Sequence, residues 1–307
     1  MQVDCAVIGG GIAGMQAAIQ LGRYQHSVVV IDAGDGRSRK CRNYHNLLGF
    51  PDGVSGSELL LNGRRHAEQL GVSFISAKVT GASKEQGGFL LNIEGVETVH
   101  ARRLLFATGV KDRLPDFPEL YPCLGISIYI CPDCDGYEIR DSRVLVLGSG
   151  RAGASMALEL THWTDDIVYI NHEQQQVPEE QLDRLLQLGI RYIEKPIRQL
   201  VTEGDHLKGA LLRDGSVIAG NHAFVAFGGN EVRSELASQL GVKLSASKHI
   251  ITDARTKMTN VQHVWAAGDI AVHSEQVAIA MGDGVQAAIW MHKSLREDIG
   301  AGSRFGR

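Results

Sequence analysis

The chain is short of three things, and each shortage removes a class of function. Only five of its 307 residues are cysteine. Cys131 and Cys134 make the sole C-x-x-C, so a four-cysteine zinc site is not indicated and no metal is expected. There is no basic excess: a net charge of -4 and a pI near 6.3 argue against a nucleic-acid footprint. The single basic cluster, RSRKCR at 37–42, reads as a solvated loop. Long apolar runs are missing too. Nothing approaches the ~20 residues of a membrane span, and no basic segment precedes an apolar one at the N-terminus, so no membrane partner is expected and the protein reads as cytoplasmic.

Glycine is what the chain has in abundance, at 36 residues against an average of about 7%. Much of the excess follows apolar runs, the habit of nucleotide-binding α/β proteins. The stretch VDCAVIGGGIAGMQAAIQLGRYQHSVVVIDAG reads as strand, turn, helix and strand. It carries G-x-G-x-x-G in Gly9, Gly11 and Gly14. The first glycine permits the tight turn, the second lets backbone approach a pyrophosphate, and the third packs helix on strand. Asp32 ends the second strand, where a carboxylate accepts hydrogen bonds from a ribose.

The pattern recurs in RVLVLGSGRAGASMALELTHWTDDIVYIN with Gly148, Gly150 and Gly153. Asn171 holds the offset that Asp32 holds in the first unit. An asparagine can hydrogen-bond a ribose but lacks the charge that makes an acid selective for NAD. A 2'-phosphate reader needs cations, and the next residues are His172 and Glu173. A fold kept as scaffold after losing its ligand stays open here.

Between the units lies YICPDCDGYEI. Two sulfurs three positions apart close a small ring reversibly, and either thiol can resolve a mixed disulfide formed by the other. Asp133 and Asp135 disfavour thiolates but can deliver or remove a proton. Cys5 reads as a small core residue of the first strand. Cys41 and Cys123 lie in loop-like stretches and read as bystanders.

Taken in order, the N-terminal glycine turn, a second dinucleotide unit after LLFATGV, C-x-x-C-D-G before that unit and VWAAGDI near the end resemble the low-molecular-weight thioredoxin reductase family. The resemblance runs over nearly the whole chain. It implies an α/β fold of two Rossmann-like dinucleotide-binding domains, the second inserted into the first. The FAD-binding domain would be 1–112 plus 243–307, and the inserted NAD(P)-binding-like domain 113–242 would carry the C-x-x-C. A homodimer is implied as well.

By the same match, Gly9, Gly11, Gly14 and Asp32 would hold FAD. Asn46, in HNLLGFP, matches the flavin-side loop, Thr108 and Gly109 the A-T-G turn, and Gly268 and Asp269 the G-D pair. Gln276 and Val277 would bring a helix start to the isoalloxazine ring. Cys134 would face the flavin, Cys131 would attack the partner disulfide, and Asp135 would be the general acid-base.

Three departures bear on the electron source. The family's NADPH reader, a histidine and two arginines, is here Asn171, His172 and Glu173; its alanine at the third fingerprint position is Gly153; and the arginine before the flavin-facing glutamine is Glu275. NADPH is therefore not the expected donor. Relatives without the reader take electrons from ferredoxin or hold a second FAD in the inserted domain, and a weakly bound NAD(P), or NADH with Glu173 as displaced ribose acid, stays open. The expectation is an FAD-dependent disulfide oxidoreductase acting on a thioredoxin-like or other disulfide. The alternatives are an ordinary NAD(P)H-dependent thioredoxin reductase and a flavin–dithiol redox sensor without turnover.

Overall fold

The computed structural model describes residues 1–302 and falls into two compact units. The first comprises Met1–Arg39, Ser57–Lys111 and the chain from Glu231 onward; the second comprises Lys40–Gly56 and Asp112–Asn230.

In the first unit, strands are ordered Ser73–Ile75, Val28–Ile31, Gln2–Ile8, Val96–Phe106, Gly88–Ile93 and Val79–Glu85. Leu104–Phe106 lies between two parallel neighbours, Ala6–Ile8 and Val264–Ala266. The other end of that long strand joins the antiparallel hairpin through Gly88–Ile93. Parallel strands are buried on both faces and read as unbroken apolar runs. Alternation still sorts them. Cys5, Val7, Val28, Val30 and Leu105 face one core, while Ala6, Ile8, Val29, Ile31, Leu104 and Phe106 face the other. Helix Ile12–Arg23 packs against helix Val277–Gly302. A Cβ at Gly284 would run into the Ala13 carbonyl, so glycine is what lets these helices approach.

The second unit holds a parallel sheet ordered Arg191–Ile193, Ile167–Asn171, Val144–Gly148, His222–Ala226 and Ile128–Tyr129. A separate antiparallel sheet contains Ile197–Glu203, His206–Leu212 and Val217–Ala219. Helix Gly150–Glu159 follows the central strand.

These units depart from the sequence-based boundaries at two places. The chain returns to the first unit at Glu231, because Glu231–Val232 pairs antiparallel with Val110–Lys111 and Gln239 Oε1 accepts a hydrogen bond from Ala82 N at 3.1 Å. Residues 40–56 group with the second unit instead of the first. Arg42 N donates to Leu124 O at 3.0 Å there, and Gly125 packs 3.0 Å from the Asn43 backbone, measured from the Cβ it lacks. Among the described residues no helix is long and apolar enough to cross a membrane, and no group of His, Cys, Asp and Glu is arranged to hold a metal.

Candidate active site

The first glycine turn is built to leave space. Gly9 has φ +104°, and a Cβ there would collide with the Ala107 carbonyl; a Cβ at Gly14 would collide with Gly9 O. These two glycines close the turn onto the sheet. Gly11 differs, because nothing lies within 4 Å of where its Cβ would be. It is the N-cap of helix Ile12–Arg23, whose first amides have no side-chain cap, as a phosphate-binding turn requires. Asp32 Oδ1 accepts a hydrogen bond from Gly10 N at 3.1 Å, and its Oδ2 meets Arg39 Nη2 at 3.2 Å.

The other residues expected at this site divide between room and structure. Gly109, at φ +65°, has open space beside it, whereas Thr108 Oγ1 donates to Arg233 O at 2.8 Å. Gly268, at φ +77°, stands 2.7 Å from the Ala13 Cβ by the same measure and donates from its amide to Asp283 Oδ2 at 3.3 Å. Arg37 Nη1 contacts Asp269 at 3.1 Å and Glu275 at 2.5 Å. The RSRKCR segment is thus no simple solvated loop: its first arginine joins two acids distant in sequence, and Arg39 joins Asp32. Helix Val277–Gly302 starts one residue after Gln276, whose carbonyl accepts from Ala280 N at 2.9 Å.

Asp283 was not visible as a functional position in the sequence. It is buried, with Lys257 Nζ at 2.8 Å and His273 Nε2 at 2.5 Å. Although burial opposes it, contact with these two partners holds the Asp283 carboxyl below the ordinary carboxylate value and lifts His273 above the ordinary histidine value. A G-D-G within an apolar helix was the available signal.

The second turn repeats the spacing and reverses the outcome. Gly150 has φ +48°, and its Cβ would meet Gln175 Cβ at 3.0 Å and Gln176 O at 3.1 Å. The segment after the strand has folded back onto the glycine. Gln174, at φ +54°, makes the reversal, and Asn171 locks it. Asn171 is fully buried, accepts from Gly150 N at 3.0 Å, and donates from Nδ2 to Gln175 O at 2.8 Å and Tyr192 Oη at 2.9 Å. Every hydrogen-bonding direction of its amide but one is used inside the protein. Tyr169 Oη donates to Gly150 O at 2.8 Å, and the Tyr169 ring occupies the place of a Cβ at Gly153. Gly148 packs against Gly153 and Ala226 O. His172 Nδ1 accepts from Ile197 N at 2.8 Å, and Glu173 pairs with Arg113 Nη2 at 2.5 Å.

Cys131 and Cys134 form a disulfide with Cα atoms 5.3 Å apart. The short helix Pro132–Asp135 sets this spacing, with Asp135 N donating to Cys131 O at 3.1 Å. Both sulfurs belong to residues of intermediate exposure. Gly136 follows because the Trp163 indole lies 2.5 Å from the place of its Cβ. Burial raises the Asp135 carboxyl above its ordinary value, and His45, with Nδ1 3.6 Å from Asp135 Oδ1, opposes that rise.

The remaining cysteines sort by burial. Cys5 lies in the core as expected. Cys123, expected in a loop, instead ends the short helix Leu120–Cys123 and is buried with Leu120 and Leu124. Cys41 is in a loop, where Sγ donates to Asn43 O at 3.2 Å. Asn46 lies in the same loop, assigned to the second unit with the disulfide. In the sequence His45 is marked only by its place beside Asn46 in HNLLGFP; the folded loop brings it to Asp135.

A C-x-x-C disulfide with an adjacent raised carboxyl, carried by a chain with an open glycine turn and an acid at the end of the next strand, is the arrangement of a flavoprotein disulfide oxidoreductase. The family model for pyridine nucleotide-disulphide oxidoreductases matches residues 3–284, and the chain belongs to that family. It is 29% identical to the thioredoxin reductase of Mycolicibacterium smegmatis over 96% of this chain and 97% of that protein. Among solved structures, HlmI superposes with a TM-score of 0.85 at 31% identity, covering 99% of this chain and 96% of that one. A putative thioredoxin reductase TrxB from Bacillus anthracis superposes with a TM-score of 0.83 at 25% identity, covering 96% and 99%. These similarities place the chain with the low-molecular-weight thioredoxin reductases. The family implies FAD, and the open face of Gly11 beside Asp32 fits the pyrophosphate and ribose of that group.

Proposed function

We propose that the chain passes electrons between FAD at the first glycine turn and the Cys131–Cys134 pair, and onward to a thioredoxin-like protein or another disulfide, without NADPH as donor. The observation that carries this reading is the self-closed second turn. Gln175 and Gln176 cover Gly150, while Asn171 spends its amide on Gly150, Gln175 and Tyr192. A dinucleotide pyrophosphate needs close access to backbone at the middle glycine. The same closure speaks against a second FAD in that cleft, which leaves a protein donor such as ferredoxin.

Gly9, Gly11, Gly14 and Asp32 would hold the pyrophosphate and adenosine ribose of FAD, with Thr108, Gly109, Gly268, Asp269, Gln276 and Val277 around the rest; Asn46, which belongs to the second unit, is proposed from its match to the flavin-side loop alone. When bound, the flavin supplies a store for two electrons. Cys134 would be the cysteine on the flavin side, Cys131 would attack the external disulfide, and Asp135 would move the proton. The functional unit is a cytoplasmic homodimer.

Titration of purified protein with dithionite tests the reading. Wild type should hold one flavin per chain and consume electrons for flavin and disulfide; Cys134→Ser should consume only the flavin's share. Unchanged stoichiometry in Cys134→Ser would refute the dithiol role. Rapid mixing then tests the donor: reduced ferredoxin should bleach the flavin and millimolar NADPH should not.

A further inference from the structure

The loop of residues 40–56 delivers a histidine to the acid beside the disulfide. The loop is pinned within its own unit, with Tyr44 and Val54 paired and Gly53, at φ +80°, closed onto the Asn43 amide where no Cβ would fit. Asn43 Nδ2 donates to His45 Nε2 at 3.0 Å, so the single proton of the neutral ring sits on Nδ1. Nδ1 is buried without a hydrogen-bond partner. It stands 3.6 Å from Asp135 Oδ1 and 4.0 Å from Glu138 Oε1, just outside bonding distance of both. Buried polar atoms mostly have a hydrogen-bond partner; what sets His45 apart is that its spare N–H faces two carboxylates, those of Asp135 and Glu138.

We propose that His45 is a positioning residue for the dithiol reaction, exchanging a proton with Asp135 from between Asp135 and Glu138 and so keeping Asp135 able to take a proton from a cysteine thiol. The proposal rests on the reading of Asp135 as the acid-base at this site.

In the exchange, a thiol of the reduced pair gives its proton to Asp135, and its sulfur attacks one sulfur of the external disulfide. The enzyme–partner S–S bond forms as the external S–S bond breaks, and the departing sulfur leaves with the bonding electron pair and takes up a proton. The second thiol then gives up its proton and attacks the mixed disulfide; Cys131–Cys134 re-forms and the second partner sulfur leaves. Two electrons and two protons end on the partner's two thiols.

The surrounding groups make His45 the controlling one. At Asp135 burial raises the carboxyl, Glu138 reinforces the rise and His45 opposes it. His45 itself is raised above the ordinary histidine value, first by Asp135. Burial pushes the other titratable groups facing the cluster toward their neutral forms: Cys41 is pushed up to about 12, the Tyr129 phenol is raised, and His222 is lowered.

The test uses full-length, FAD-loaded protein whose dithiol has been reduced with dithiothreitol and desalted. Its single-turnover reaction with a chromogenic aryl disulfide is followed from pH 5 to 10. Loss of His45 lets the Asp135 carboxyl rise further, so His45→Gln should move the ascending limb to higher pH and slow the reaction at pH 7 about tenfold, within the usual reach of acid-base catalysis. Glu138→Gln should move the limb the opposite way. Asp135→Asn should remove the limb, and adding His45→Gln to it should change nothing more.

A His45→Gln limb at the wild-type pH, or additive effects in the double variant, overturns the proposal. An unchanged profile in Asp135→Asn overturns the underlying acid-base reading instead. Should His45→Gln fail to fold, 15N NMR of the wild-type imidazoles decides: a His45 ring with Nδ1–H and a raised pKa is expected, and an Nε2–H tautomer refutes the proposal.

Discussion

Gly11 and Gly150 hold the same place in two glycine turns of identical spacing, yet the space a Cβ would take is open at the first and filled by Gln175 and Gln176 at the second. The residues that end the following strands diverge in the same sense. Asp32 is partly exposed and keeps a charged oxygen near Arg39, whereas Asn171 is buried and bonded inward. A dinucleotide turn is thus two separable things: a way to pack helix on strand, and a way to present amides to a ligand. The second unit keeps the first, and in it Gln175 and Gln176 lie against the place where Gly150 would carry a Cβ.

The sharpest way to break this comparison is to exchange the strand-end residues. Asn171→Asp places a carboxylate against the Gln175 carbonyl and removes both amide-donated bonds, and it should destabilise by about 3 kcal/mol. Its buried carboxyl would have a raised folded pKa, so the variant should be relatively more stable near pH 4 than at pH 7 in urea unfolding. Asp32→Asn keeps the Gly10 contact and should unfold like wild type, while flavin retained after dialysis falls. Equal unfolding costs for the two would contradict the assigned difference.

A smaller effect comes from adding a methyl group at each middle glycine. Gly150→Ala has to hold φ +48° and press on Gln175, at a cost of about 1–2 kcal/mol, with flavin content unaltered. Gly11→Ala puts its Cβ in open space and should change apo-protein stability by under about 1 kcal/mol but lower the flavin content. Differential scanning fluorimetry with flavin absorbance reads both.

The smallest effect is a contrast in pH response between the units. His273 is raised by its contact with Asp283, so its stabilisation is full below pH 6.5 and is lost as pH rises through the higher folded value. His172 is lowered by burial, so it costs stability as pH falls below 6.5. Substituting each with glutamine should change stability by under about 1 kcal/mol and in opposite senses across pH 5 to 8. Unfolding curves that keep wild type's pH dependence in either variant would remove that histidine from the account.

What could be read from the sequence was mostly what is local along the chain. The glycine spacings, the C-x-x-C and the acid following it are short-range features whose geometry follows from a strand–turn–helix unit or a single helical turn. Less could be read where partners come from far away. Arg37 looked like part of a solvated loop, yet Asp269 and Glu275 meet it from the C-terminal part of the chain. Cys123 looked like part of a loop because its helix is only four residues long. His45, at the head of HNLLGFP, and Asp283, in G-D-G, have no role legible from those short stretches, and their importance lies in the carboxylates or cations packed against them.

By itself the sequence determined the two strand–turn–helix–strand units and the C-x-x-C with the acid after it, because each is one continuous stretch of chain, and it displayed the order of motifs that marks the family. Whether the second turn stays open was decided only by tertiary structure. That depends on where Gln175 O and Tyr192 Oη stand relative to the Asn171 amide, and a buried amide is committed by the partners the fold brings to it.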